Sequence, residues 1–307
     1  MLYAVGKYKI GGLVGEGPTW VIATILYHGD KCLLSPKGDF DRNALSTKLQ
    51  EALSITSEYK LVLGVDAVIP SVEAASQILS FLGEFNIPVF IDSPSPEVRA
   101  KSYLAAGELG LGEYAIANGL YVNSPPEELD ALRESKLKKA VIIAFDPRDP
   151  YKYIQPESRI ALLEERLIPL ARNAGVELFF ADFVVLDPGS IAICGETLRL
   201  FKSKYGEPAG CAPANALGSV SKSTVSVDEL YGIHGGSAAY LRMMGADFVM
   251  IGPLGRVKYV TPVLAMVDGL LGYALRRQGI RLPEEHPIKG LLKKVQRLFA
   301  QPVLPGT

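Results

Sequence analysis

The 307-residue chain is 48% hydrophobic and 21% charged, which supplies a sizeable core and excludes an intrinsically disordered protein. Its 32 basic and 33 acidic residues are interspersed and leave a net charge of -1, so no long-range field exists to attract nucleic acid or an anionic membrane, and a small-molecule ligand is expected. Cys32, Cys194 and Cys211 are odd in number and far apart, no apolar run reaches the roughly 20 residues of a membrane span, and the N-terminus lacks the build of a signal peptide; these features predict a soluble cytoplasmic protein without disulfides or a bound metal.

In chain order, YAVGKYKIGGLVGEG alternates around glycine pairs and predicts an N-terminal hairpin within residues 1–18, placed to plug the bottom of a barrel. Eight apolar runs of strand length follow: Thr19 to Tyr27, Lys60 to Asp66, Pro88 to Ser93, Leu120 to Ser124, Ala140 to Asp146, Leu178 to Val185, Pro208 to Asn215 and Asp247 to Pro253. Most are almost continuously apolar, as strands covered on both faces must be. Stretches with helical apolar spacing separate them: Arg42 to Thr56, Ser71 to Phe85, Pro96 to Leu109, Pro126 to Lys136, Pro156 to Ala174, Gly189 to Tyr205, Val227 to Met244 and Pro262 to Gln278. Ser71, Ser95 and Ser226 stand where N-caps belong, with acidic residues just after them. Eight βα units without an obvious linker predict an α/β fold, a (β/α)8 TIM barrel, as one domain over residues 1–307. The tail, residues 286–307, reads as a C-terminal amphipathic helix with Leu291, Leu292, Val295, Leu298 and Phe299 broadly on one side.

In such a barrel the site lies at the carboxyl ends of the strands, so polar residues that close an apolar run are the informative ones. Asp92, Asn123, Asp146 and Asn215 end such runs, and Asp182 interrupts one. Any one alone reads best as a loop cap, but five on one rim would be costly to bury without a ligand. Carboxylates and amides with no histidine among them suit a planar heterocycle rich in N–H donors, such as a pterin or guanine edge.

The strings GEGPTWVIATILY, FIDSPSPEVR, LYVNS, AVIIAFDPRDP, ADFVVLDPGSI and above all GEPAGCAPANA resemble the family of the H subunit of tetrahydromethanopterin S-methyltransferase from about Tyr8 to about Leu254. That family is similar in turn to the methyltetrahydrofolate:corrinoid methyltransferases. The resemblance implies a TIM barrel in which Asp92, Asn123 and Asp182 grip the pterin ring and Asn215 faces the methyl-bearing N5, with Asp182 and Asn215 carrying the chemistry. It implies methyl transfer from methyl-tetrahydromethanopterin or methyltetrahydrofolate to a cob(I)amide, the cobalamin being supplied by a corrinoid protein or subunit. A homodimer, and membrane contact only through partners, are implied as well. This chain departs from the family's pattern at Pro94, at Pro125-Pro126, and at Asp146, where Asn is more usual.

Two other functions fit the same strand ends: a dihydropteroate-synthase-like condensation, and a non-catalytic pterin-binding subunit of a larger complex. Of the remaining signals, His28 sits at the expected functional rim, where an ordinary loop histidine is the simpler reading. Gly235-Gly236 could cradle a phosphate if it opened a helix, and Asp187 is placed to cap the helix after the sixth strand.

Overall fold

The computed structural model describes residues 1–218 and 225–292. Two antiparallel strands, β1 (Leu2–Val5) and β2 (Tyr8–Gly11), form the predicted hairpin. Then come β3 (Trp20–Ile25), α1 (Arg42–Glu58), β4 (Val62–Val68), α2 (Val72–Gly83), β5 (Val89–Asp92), α3 (Pro96–Glu108), β6 (Ala115–Leu120) and α4 (Pro126–Ser135). The chain continues through β7 (Lys139–Ile143), α5 (Pro156–Leu162), α6 (Ile168–Asn173), β8 (Leu178–Asp182), α7 (Ser190–Lys204) and β9 (Ala209–Cys211). It finishes with α8 (Pro213–Leu217), α9 (Val227–Met243), β10 (Phe248–Pro253) and α10 (Val257–Arg277). A π turn, Leu163–Leu167, joins α5 to α6. Strands β3 to β10 pair in parallel and in sequence order, and β10 closes on β3, so the (β/α)8 barrel is complete.

Helix starts follow the capping chemistry. Ser71 and Ser95 accept the N–H of Ala74 and of Val98, while Ser226 and Glu229 form a reciprocal capping box that satisfies two otherwise orphan donors. Two strands differ from the sequence reading. The fourth barrel strand is AIANGL, upstream of the predicted Leu120 to Ser124, because the turn residues Asn123 to Pro126 lead into α4 and leave LYVNS no partner in the ladder beyond Leu120. The PANAL segment after the seventh strand is a short helix, so that strand stops at Cys211. Helix α10 also begins five residues before Pro262, which is tolerated inside it. Of the predicted C-terminal helix, residues from 293 onward lie outside the described residues.

Side chains alternate across each strand, and every second one points into the barrel. Trp20, Phe90, Phe180 and Phe248 meet there with ring centroids 5.6 to 6.3 Å apart. Val5 and Ile10 of the hairpin join this interior cluster, so the hairpin does plug the amino-terminal end. Gly210 is needed in that layer, since a Cβ there would come 2.1 Å from the Phe248 carbonyl oxygen. Among the described residues, no helix is long and apolar enough to cross a membrane, and no group of three or more His, Cys, Asp or Glu could hold a metal ion.

Candidate active site at the barrel mouth

The two-residue period that fills the barrel also builds the site. One step beyond the interior residues Ile22, Gly64, Phe90, Ile116 and Phe180 come Thr24, Asp66, Asp92, Asn118 and Asp182, on the same inward parity but nearer the carboxyl end. All five line a cavity of about 920 Å³, and so do Tyr121, Asn123 and Asn215. That is the size of a small-molecule site, at the end of the barrel where such sites form.

Of the five residues expected from sequence, the structure brings four to this cavity. Asp92 and Asp182 end β5 and β8, Asn123 is exposed in the loop after β6, and Asn215 is exposed on α8. Asp146 is not among the lining residues. Its carboxylate accepts from the backbone N–H of Arg148 at 3.1 Å and from the Arg148 guanidinium at 2.9 and 2.7 Å, and this partner holds its pKa down to about 2. The loop thereby clamps itself. His28 does not line this cavity. Gly235-Gly236 lies within α9, where it opens no helix, and the Asp187 carboxylate accepts the Ser190 N–H at 2.9 Å at the start of α7.

Asp66, Asn118, Thr24 and Tyr121 were not singled out from sequence. Asp66 is 7% exposed and accepts from Asn118 Nδ2 at 3.0 Å and from Thr24 Oγ1 at 3.1 Å. A two-residue inward parity taken from Phe90 to Asp92, and applied to every strand, could have found the first three.

Burial raises the pKa of the three carboxyls: Asp66 to about 8, Asp182 to about 7 and Asp92 to about 6. Asp92 adds to the rise at Asp66, while Arg99 restrains Asp92, and the Val184 amide and Arg159 restrain Asp182. Tyr121 is pushed up to about 12 by burial and by the nearby Asp182 and Asp92. One atom is notable: Asp182 Oδ1 is buried and has no hydrogen-bond partner among the described residues. An unsatisfied buried acceptor is costly, and a ligand donor would relieve it.

The rim is held from behind. Arg99 forms a buried pair with Glu128 at 2.6 and 3.1 Å and donates to the Ser93 carbonyl at 2.6 Å, which fixes the turn that follows Asp92. Arg159 donates to the carbonyls of Phe183 and Val184 at 2.8 and 2.9 Å and does the same for the turn after Asp182.

The raised Asp66 pKa has a consequence for stability. The folded chain keeps a proton that the unfolded carboxyl, with a pKa of about 3.9, releases, so its contribution falls as pH rises from about 4 to 8. Asp66→Asn keeps the shape and both partners and removes this dependence. The variant's Tm should match that of the wild type near pH 4 and exceed it at pH 8, by roughly 2–4 °C per kcal/mol of relief. Parallel melts across that range check it, and an unchanged difference would refute it.

Fold and site together define a (β/α)8-barrel protein with a carboxyl- and amide-lined small-molecule cavity at its mouth. A model of the family described as tetrahydromethanopterin S-methyltransferase MtrH subunit matches residues 1–282, and the chain belongs to that family of methyltransferases. It is 31% identical over 298 residues to the H subunit of tetrahydromethanopterin S-methyltransferase from Methanothermobacter thermautotrophicus, covering 92% of this chain and 95% of the relative. It is 29% identical over 302 residues to the H subunit of the putative methyltransferase mtx from Methanosarcina mazei, covering 94% and 96%. Among solved structures it is similar to Yersinia pestis dihydropteroate synthase with a pterine-sulfa conjugate (TM-score 0.61, 14% identity, 88% and 99% of the two chains). It is also similar to the dihydropteroate synthase of Xanthomonas albilineans with 7,8-dihydropteroate (TM-score 0.60, 14% identity, 84% and 95%). At that identity the likeness is one of fold.

Proposed function

We propose that this chain binds an N5-methyl tetrahydropterin of the tetrahydromethanopterin or tetrahydrofolate type in the barrel mouth and passes its methyl group to a cob(I)amide held by another protein. The observation that carries the reading is the unsatisfied, buried Asp182 Oδ1 in a ring of carboxyl and amide groups. A pterin edge offers a 2-amino group and a ring N–H to carboxylates, and a 4-oxo group to an amide. In this reading Asp92 and Asp182 accept the N–H groups. Asn118, whose Nδ2 donates to Asp66, lines the cavity beside them, and the Asn123 amide at the rim donates to the 4-oxo group. Asp146 serves the loop and does not touch the ring.

A tertiary amine leaves only when N5 carries a proton. With N5 protonated, the nucleophile forms its bond to the methyl carbon, the N5–CH3 electron pair stays on nitrogen, and the product is a neutral N5–H amine. Asn215 lines the cavity as an exposed amide and can accept from or donate to N5, so it follows the change of charge without itself ionising.

Purified protein should bind methyl-tetrahydromethanopterin or methyltetrahydrofolate and methylate cob(I)alamin. Asn215→Ala should slow transfer about 100-fold, with a much smaller change in pterin affinity. Absence of both binding and methylation in the wild type refutes the function. Binding without methylation of any corrinoid refutes the transfer and leaves a pterin-binding subunit.

A further inference from the structure

A second cavity, of about 400 Å³, opens beside the first between the ends of β3 and β10, and Thr24 lines both. Its charge differs from that of its neighbour. The large cavity is ringed by carboxyls, and among the described residues its single lining cation, Arg99, is paired with Glu128. The smaller one is lined by Lys31, Lys48 and Lys258 against Asp30 and Glu51. Asp30 is committed, because its two oxygens accept the backbone N–H groups of Leu26 and Cys32 at 2.9 and 3.0 Å. Among the described residues no salt bridge neutralises any of the three lysines; Lys48 rests on Cys32 Sγ at 3.1 Å, and Lys258 lies over the Tyr259 ring.

Behind this wall is Arg256. Its guanidinium donates to the Ile251 carbonyl at 2.9 Å, its electrostatic neighbours are the Tyr27 and Tyr231 phenols, and burial lowers its pKa. A half-buried cation with no carboxylate partner among the described residues adds positive potential to the pocket that Tyr27 lines. Leu254 and Gly255, in the turn that leads into α10, complete the same wall and add no negative charge to it.

We infer that the smaller cavity receives an anionic group, a phosphate or carboxylate, at the end of the substituent carried by the ligand of the larger one. This rests on the pterin reading: a ring seated on Asp92 and Asp182 carries its C6 substituent outward, and Thr24 is the shared wall over which that substituent passes. The division of charge gives each cavity one task. The carboxyls hold the donor-rich ring and repel an acid, and the lysines hold the acid.

The test compares two tetrahydropterins, one whose C6 substituent ends in a phosphate or carboxylate and one with only a methyl group at C6, titrated into the full chain at low and at high salt. The acid-bearing ligand should bind about tenfold more tightly at low salt, and the advantage should vanish at high salt and in the double variant Lys31→Glu with Lys258→Glu. Both lysines are exposed, and unchanged affinity of the variant for the methyl compound shows that its barrel is intact. Equal affinities for the two compounds, insensitive to salt and to the variant, overturn the inference and leave the pterin reading standing. Failure of both compounds to bind the wild type overturns the pterin reading and the inference with it.

Discussion

Asp182→Asn is expected to weaken tetrahydropterin binding about 100-fold while leaving the free protein as stable as before, or more so. The two effects have opposite signs because the carboxylate has no hydrogen-bonding donor for Oδ1 until a ligand arrives. In the free chain its burial raises the pKa to about 7, so ionisation works against folding at neutral pH, and the isosteric amide removes that cost. In the proposed complex the carboxylate would accept an N–H bond of the charge-assisted kind, worth roughly 1.5–3 kcal/mol, and an amide whose oxygen stays on the Val184 N–H turns a donor toward that donor. Titration of both proteins with the same tetrahydropterin, together with thermal melts without ligand, tests the pair of signs. A variant that binds as the wild type does removes Asp182 from the site, and one that melts well below it makes the carboxylate a structural acceptor.

The opposite end of the barrel should show the largest effect on stability. Asp268 of α10 is fully buried and accepts the Thr19 N–H at 2.7 Å, the Thr19 hydroxyl at 2.9 Å and the Arg242 guanidinium. Arg242 also donates to the carbonyls of Ala246 at 2.8 Å and Gly17 at 2.9 Å, and lies 3.6 Å from Asp247, which Lys202 pairs at 2.9 Å. One network therefore ties the start of β3 to α9 and α10 beneath the barrel. Removing one member strands a buried charge, so Asp268→Ala should cost about 3–5 kcal/mol and lower Tm by roughly 10 °C. Removing both partners is gentler: Asp268→Ala with Arg242→Met should recover part of the loss. Ligand affinity measured below the melting range should not change, because no member of the network lines either mouth cavity. A Tm within about 2 °C of the wild type would show that the network contributes little to the fold.

The barrel was legible because a strand covered on both faces must be apolar almost throughout, and every apolar run except the fourth, and the end of the seventh, falls on its strand to within a few residues. The miss at the fourth has the same cause. In AIANGL the Asn118-Gly119 pair interrupts the apolar run just where the strand adds to the cavity, while LYV, at and after its end, looks more like a strand. The residues that close a run, Asp92 and Asp182, could be read because a change from apolar to charged marks where the barrel ends. Asp66 stands at the end of the apolar run Lys60 to Asp66, but VLGVDAV continues as a strand beyond it; only a parity carried across all the strands places it inward with Gly64, and its partner Asn118 on β6 is set by closure of the barrel. Asp146 shows the complementary case: it ends a run as Asp92 does, and only the loop geometry shows Arg148 folding back to take both of its oxygens.

The strand ends that first suggested a heterocycle were thus fixed by the chain alone, together with the βα alternation and the capping serines, because these depend on local periodicity and on neighbours within a few residues. Which of those polar ends meet, which are consumed by their own loops, and which cavity is acidic and which basic were decided by closure of the barrel. Closure gives every strand a register and an inward face, and it brings Thr24, Asp66, Asp92, Asn118 and Asp182 to one depth although up to 158 residues separate them.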